Sequence, residues 1–163
     1  WADRPGLPSE PVYEHAAPHA VVTRADKLAR VRKAMASVGA THHLVSTVDD
    51  IAWLLNLRGS DVECNPVFIA HLLLDASAGR LFIGEGKVPP DLAARLAADG
   101  ITLVPYAQAA AALQALPATA KLLIDPRRVT LGLREAVPAS CAVPILFPPV
   151  MLMTADETGA RVE

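Results

Sequence analysis

Ile51-Ala-Trp-Leu-Leu-Asn-Leu-Arg-Gly-Ser-Asp-Val-Glu-Cys-Asn-Pro66 passes from an apolar turn straight into a polar loop. Ile51, Ala52, Trp53, Leu54 and Leu55 have no face to offer water, so they belong in a core. Asn56, Arg58, Gly59, Ser60, Asp61 and Asn65-Pro66 follow at once. Trp53 is the anchor, Gly59 lets the backbone turn tightly, and Arg58 carries a rigid fork of donors suited to a carboxylate. By residue chemistry this is an arginine held on an ordered loop. Two readings follow. Arg58 pairs with Asp61 or a neighbouring carbonyl to brace the loop, or the loop faces the active-site mouth of a neighbouring domain, where Arg58 meets substrate or gates access.

Upstream of this block, residues 1–22 hold Pro5, Gly6, Pro8, Ser9, Pro11 and Pro18 and read as an extended connector. A first helix starts at Thr23, with Asp26 at capping-box spacing. Leu28, Val31, Met35 and Val38 line its apolar face, Arg24, Lys27, Arg30 and Lys33 its polar side, and Gly39 closes it. Residues 43–46 read as a strand, and Thr47 with Asp50 caps a short helix through Leu55. Residues 67–74 form an almost unbroken apolar run, as in a strand covered on both faces. A turn over 75–79 leads into an antiparallel strand over 80–84. A helix over 91–98 closes at Gly100. A strand over 101–105, an Ala-rich helix over 107–116, a strand over 121–125, a helix over 129–136 and a final strand over 143–147 complete the series. This alternation predicts one α/β domain over 23–153 with a mixed sheet flanked by helices, followed by a polar tail over 154–163.

The bulk numbers narrow the function. The chain has 163 residues, is 52% apolar and 20% charged, and carries a formal net charge of −2 with both signs interspersed. It lacks the basic patch of a nucleic-acid binder, and no apolar stretch approaches the roughly 18 residues of a membrane span. It starts at Trp1 with no charged-then-apolar leader, and so reads as a cytoplasmic piece of a longer protein. Cys64 and Cys141 lie far apart and read as free thiols.

Other constellations favour structural roles. Asp49-Asp50 sits where acidic residues support a helix N-terminus. His42 and His43, adjacent on a strand, point to opposite faces and do not chelate one ion; His71 reads as a hydrogen-bonded sheet residue. Asp61, Glu63, Asp75 and Asp125 would make a nuclease-like magnesium site only if the fold gathered them. Glycine-rich phosphate loops, HExxH and GxSxG are absent from the sequence.

Residues 49–62 (Asp-Asp-Ile-Ala-Trp-Leu-Leu-Asn-Leu-Arg-Gly-Ser-Asp-Val) and Asn65-Pro-Val-Phe68 resemble the second domain of three-domain Xaa-Pro aminopeptidases (aminopeptidase P). Residues 1–12, Lys27-Leu-Ala-Arg-Val-Arg32 and Leu44-Val-Ser-Thr-Val-Asp-Asp50 extend the resemblance over essentially the whole chain. It implies a creatinase/aminopeptidase N-terminal-domain-like α/β fold, with a six-stranded mixed sheet in a ribonuclease-H-like architecture. It also implies a non-catalytic middle domain. Its partners would be an N-terminal domain and a C-terminal pita-bread catalytic domain of the same protein, which would be a homodimer acting on peptides.

The family removes the N-terminal residue that precedes proline. Two Asp, one His and two Glu of its catalytic domain bind two divalent metal ions, usually manganese. None of those ligands matches a position here, so no catalytic or metal residue carries over and no cofactor is expected on this chain. The resemblance makes Asn56, Arg58 and Asp61 the substrate-proximal candidates and Trp53 their structural anchor. It also makes the apolar residues 146–153 a candidate face for partner domains. The alternatives are a stand-alone peptide- or amino-acid-binding module, a creatine-hydrolase or dipeptidase relative, and a ribonuclease-H-like nuclease.

Overall fold

A computed structural model describes residue 3 and residues 5–141. In chain order these form β1 (Tyr13–Glu14), α1 (Arg24–Ser37), β2 (His42–Val45), α2 (Val48–Leu55), β3 (Leu57–Arg58), β4 (Ala70–Leu74) and β5 (Gly79–Ile83). Then come α3 (Pro90–Ala98), β6 (Ile101–Pro105), α4 (Ala109–Gln114) after one 3₁₀ turn, β7 (Leu122–Leu123) and α5 (Leu131–Ala136).

Five of the strands form a mixed sheet in the order β6-β5-β4-β2-β7. The short turn after Leu74 makes β4 and β5 antiparallel, and β2 also runs antiparallel to β4. The helical crossovers make β5–β6 and β2–β7 parallel. The sixth strand expected over 143–147 lies outside the described residues, as do the candidate face at 146–153 and the tail. β1 and β3 form a separate two-stranded ribbon.

The sheet is covered on both faces, which explains the unbroken apolar sequence of β4. Leu72 and Leu74 join Val45, Leu81 and Ile83 under α1, α2 and α3. Leu73 points the other way, with Leu44 and Phe82, under α4 and α5. Val12, within the expected connector, belongs to the first core and is 1% exposed.

The helix boundaries follow their signals. Thr23 Oγ1 accepts the Asp26 amide at 3.1 Å and donates to its carboxylate at 2.6 Å, and Gly39 takes φ +68° after α1. Thr47 precedes α2, but its side chain makes no cap hydrogen bond.

α1 departs from its expected pattern, because Arg24 and Lys27 are buried rather than solvated. The reason lies in α2. Its last carbonyls lack the amides of a further helical turn, the Asn56 cap amide reaching only Ala52 O and Trp53 O, and its last turn holds no basic residue. Arg24 Nε donates to Leu55 O at 2.7 Å, and Lys27 Nζ to Trp53 O at 2.9 Å. The cations that favour a helix C-terminus are therefore supplied by the neighbouring helix.

Candidate functional site

The switch from core to loop happens at Asn56. This residue ends α2 in the left-handed region, at φ 52° and ψ 42°, where Asn is among the tolerated residues. Its amide faces two ways: Oδ1 accepts from Lys27 Nζ at 2.9 Å, and Nδ2 donates to Val22 O at 2.9 Å. Its own carbonyl accepts the His15 amide at 2.8 Å. The Lys27 ammonium also lies 4.2 Å from the centroid of the Trp53 ring, within the range of a cation–π contact. The structure thus joins Trp53 and Asn56 through a lysine that the sequence pattern placed in solvent. Beside them a cavity of about 280 Å³ opens between the N-terminal segment and α1, lined by His15, Thr23, Arg24, Asn56 and Asp99 among others.

Arg24 closes the underside of this hub. Besides Leu55 O, it pairs with Asp99 at 2.7 Å and with Glu14, whose other oxygen meets Arg95 at 2.9 Å. Glu14 is on β1, so this network also fixes the β1–β3 ribbon against α1 and α3.

Arg58 and Asp61 are not partners. Arg58 Nη1 donates to Ala52 O at 3.0 Å and Leu57 O at 2.8 Å, which is the carbonyl form of the bracing expected of it. Asp61 turns inward and meets Lys87 Nζ with both carboxylate oxygens, at 2.5 and 2.6 Å, and accepts the Ile69 amide at 2.7 Å. The pair is shielded, with side-chain exposures of 0% for Asp61 and 2% for Lys87. Lys87 reaches the N-terminal segment as well: Nζ donates to Pro8 O at 3.2 Å and its carbonyl accepts the Val12 amide at 2.8 Å.

Between these anchors the loop folds back on itself. The Gly59 amide donates to Pro66 O and the Asp61 amide to Val67 O. Gly59 is required for closeness rather than for an unusual φ: a Cβ there would lie 2.8 Å from Phe68 Cβ and 3.1 Å from Val67 O. Residues 62–66 at the tip are exposed. They are closed by a Val62–Asn65 bridge with Cys64 at φ 60°, and Asn65 Nδ2 reaches the Asp49 carboxylate at 3.3 Å.

The other titratable residues are dispersed. Burial raises the Asp75 carboxyl, but the Ala78 and Ser77 amides outweigh it and hold it below its ordinary range. Asp125 accepts the Arg127 amide, and Glu63 is exposed at the tip. His71 bonds Ser46 Oγ at 3.1 Å and stacks on Tyr106, and burial lowers its pKa. His42 and His43 diverge as expected: His42 is half-buried and meets Thr41 Oγ1, whereas His43 is buried at 1% exposure. Burial pushes His43 down to about 4, against a smaller opposing effect of its bond to the Leu123 carbonyl. Both cysteines are free, Cys64 exposed and Cys141 buried.

Among the described residues no three His, Cys, Asp or Glu side chains converge on a possible metal position. No helix among them is long and apolar enough to cross a membrane.

Comparison with known proteins places this arrangement. The family model for the creatinase/prolidase N-terminal domain matches residues 3–156. Aminopeptidase P2 of Arabidopsis thaliana is 34% identical over 143 residues, covering 86% of this chain and 20% of that protein. A probable Xaa-Pro aminopeptidase P of Sordaria macrospora is 37% identical over 107 residues, covering 65% and 17%. The chain thus spans about a fifth of the length of these curated relatives.

In fold it is similar to X-prolyl aminopeptidase from Caenorhabditis elegans, described as a cytosolic enzyme with a di-nuclear active site. The TM-score is 0.78 at 21% identity, over 90% of this chain and 25% of that one. The N-terminal creatinase/prolidase-like domain of a metallopeptidase from Corynebacterium diphtheriae superposes with a TM-score of 0.50 at 12% identity, over 76% of this chain and 95% of that one.

Proposed function

This chain belongs to the creatinase/prolidase N-terminal domain family, and we propose that it is the non-catalytic middle domain of a metal-dependent Xaa-Pro aminopeptidase. The observation that carries the reading is its 34–37% identity to aminopeptidase P proteins of which it spans about a fifth. In this reading a C-terminal catalytic domain removes the N-terminal residue preceding proline, in a cytoplasmic homodimer. The middle domain restricts which peptide ends reach the active site.

Two metal ions, manganese in this reading, would supply the hydroxide and the Lewis-acid polarisation that such hydrolysis needs. The described residues do not fit that pair, because no three suitable donors converge among them. In this reading the metals sit in the catalytic domain, and no step of hydrolysis is assigned to this chain.

The loop from Asn56 to Asp61 is the part that faces the active-site mouth. Asn56 and Asp61 hold its two sides through Lys27 and Lys87. Arg58 is engaged through Nη1, so the rest of its donor fork is available to a peptide or to the catalytic domain.

The test is to express the complete gene product and the 163-residue chain in parallel and assay both on an Xaa-Pro peptide with manganese. Activity in the complete product alone is expected. Activity in the isolated chain, or a complete product without Xaa-Pro cleavage, would overturn the proposal.

A further inference from the structure

Beneath the start of α2 lies a second polar place that the proposed function does not use. The parallel strands β2 and β7 end there side by side. Beside them lies a small, partly open cavity of about 10 Å³ lined by His43, Ser46, Thr47, Asp50, Asp125 and Arg128, among others. His43 Nδ1 lies 3.0 Å from the Leu123 carbonyl. A carbonyl only accepts, so Nδ1 carries the proton and Nε2 presents a lone pair. That Nε2 is buried and has no hydrogen-bond partner among the described residues. Burial keeps the ring neutral at ordinary pH.

We infer that this cavity is a binding site for one structural water, which donates a hydrogen bond to His43 Nε2 and bridges it to the first turn of α2. Its volume matches the room that one water needs, about 10–15 Å³. Chemistry requires a donor, since His43 offers only an acceptor. The lining supplies the several polar partners a buried water needs: the Asp50 and Asp125 carboxylates as acceptors, and the Thr47 hydroxyl as donor or acceptor. Thr47 makes no side-chain cap bond to the N–H groups that open α2, which leaves the water the role of joining helix to strand. This water fastens the end of α2 opposite Asn56 and so steadies the helix that carries the loop.

The test is a crystal structure of the chain at a resolution that resolves ordered waters, together with ¹⁵N spectra of the His43 ring. The expected result has two parts. One water lies within hydrogen-bond distance of Nε2 and of at least one of Asp50, Asp125 or the first α2 amides, and His43 is the neutral Nδ1–H tautomer. A dry cavity, a protein group on Nε2, or an Nε2–H tautomer would overturn the inference. Density that vanishes when crystals are grown without ammonium salts would also overturn it, because the occupant would then be a cation.

Discussion

The two ends of α2 treat buried polar groups in opposite ways. At the C-terminal end the protein supplies every partner named above. Lys27 and Arg24 reach the carbonyls of Trp53 and Leu55, Asn56 uses both sides of its amide, and Asp61 beyond it takes Lys87. At the N-terminal end Thr47 does not cap with its side chain, and His43, which lines a small cavity, keeps a buried Nε2 without a hydrogen-bond partner among the described residues. Protein groups meet these polar atoms at the first end, so its stability should depend on side chains. The other depends on protons and water.

The largest effects should come from breaking the C-terminal end. Asp61→Leu would leave Lys87 buried without its carboxylate. Removing one partner of a buried pair costs about 3–5 kcal/mol, whereas replacing both with apolar groups is often close to neutral. Denaturant titration should therefore show a large loss for Asp61→Leu and substantial recovery for Asp61→Leu with Lys87→Met. Equal losses in the single and double variants would mean that packing rather than charge pairing holds the loop. Trp53→Ala should cost about 3–5 kcal/mol as well, the usual result of emptying a buried aromatic site. Unchanged thermal stability would move Trp53 from the core to an interface.

The N-terminal end should respond to pH. His43 is held near 4 when folded, below its ordinary 6.5, so the unfolded chain binds a proton more readily between those values. Stability is complete above about 6.5 and falls as pH drops toward 4. One pKa unit corresponds to 1.36 kcal/mol, giving a loss of about 3 kcal/mol by the bottom of that window. Asp75, also lowered, adds a loss of the same sign at lower pH. Urea denaturation from pH 7 to 4, with the His43 ring followed by NMR, tests this. A His43 that titrates near 6.5 in the folded chain would remove the contrast between the two ends.

The sheet was legible because its signals are local. The β4 apolar run, the short turn to β5 and the Gly-closed helices are each encoded within a few residues. The loop was legible as far as its apolar root and its arginine. Its fastenings were not, because Asp61 meets Lys87 through the fold and no periodicity links the two positions. The burial of Lys27 does have a sequence signal: positions 24, 27, 28, 31 and 35 share one helical face, so the apolar stripe of α1 continues into two cations. Residue type points to solvent, but the carbonyls at the end of α2 draw both cations inward. The apolar run over 67–74 reads as one strand, but the ladder begins only at Ala70 and Val67 O accepts the Asp61 amide, so the run is split between loop and sheet.

The smallest effect on stability should come from the loop tip, and there stability and function can be separated. Val62 and Cys64 are exposed and outside the core, so Val62→Ser and Cys64→Ser should change stability by no more than about 0.5 kcal/mol. Cys64 sits at φ 60°, which glycine adopts without steric cost, so Cys64→Gly should be neutral or slightly stabilising. If the tip lies near the active-site mouth of a complete aminopeptidase, the same changes should alter kcat/KM for Xaa-Pro peptides while the melting temperature stays put. Arg58→Ala should go further, since it removes the donor fork as well as the brace. Tip variants that lose stability like the Asp61 variant would show that residues 62–66 are part of the scaffold. Variants silent in both assays would leave the loop as a fastening between the N-terminal segment and the sheet, with access to the active site controlled elsewhere.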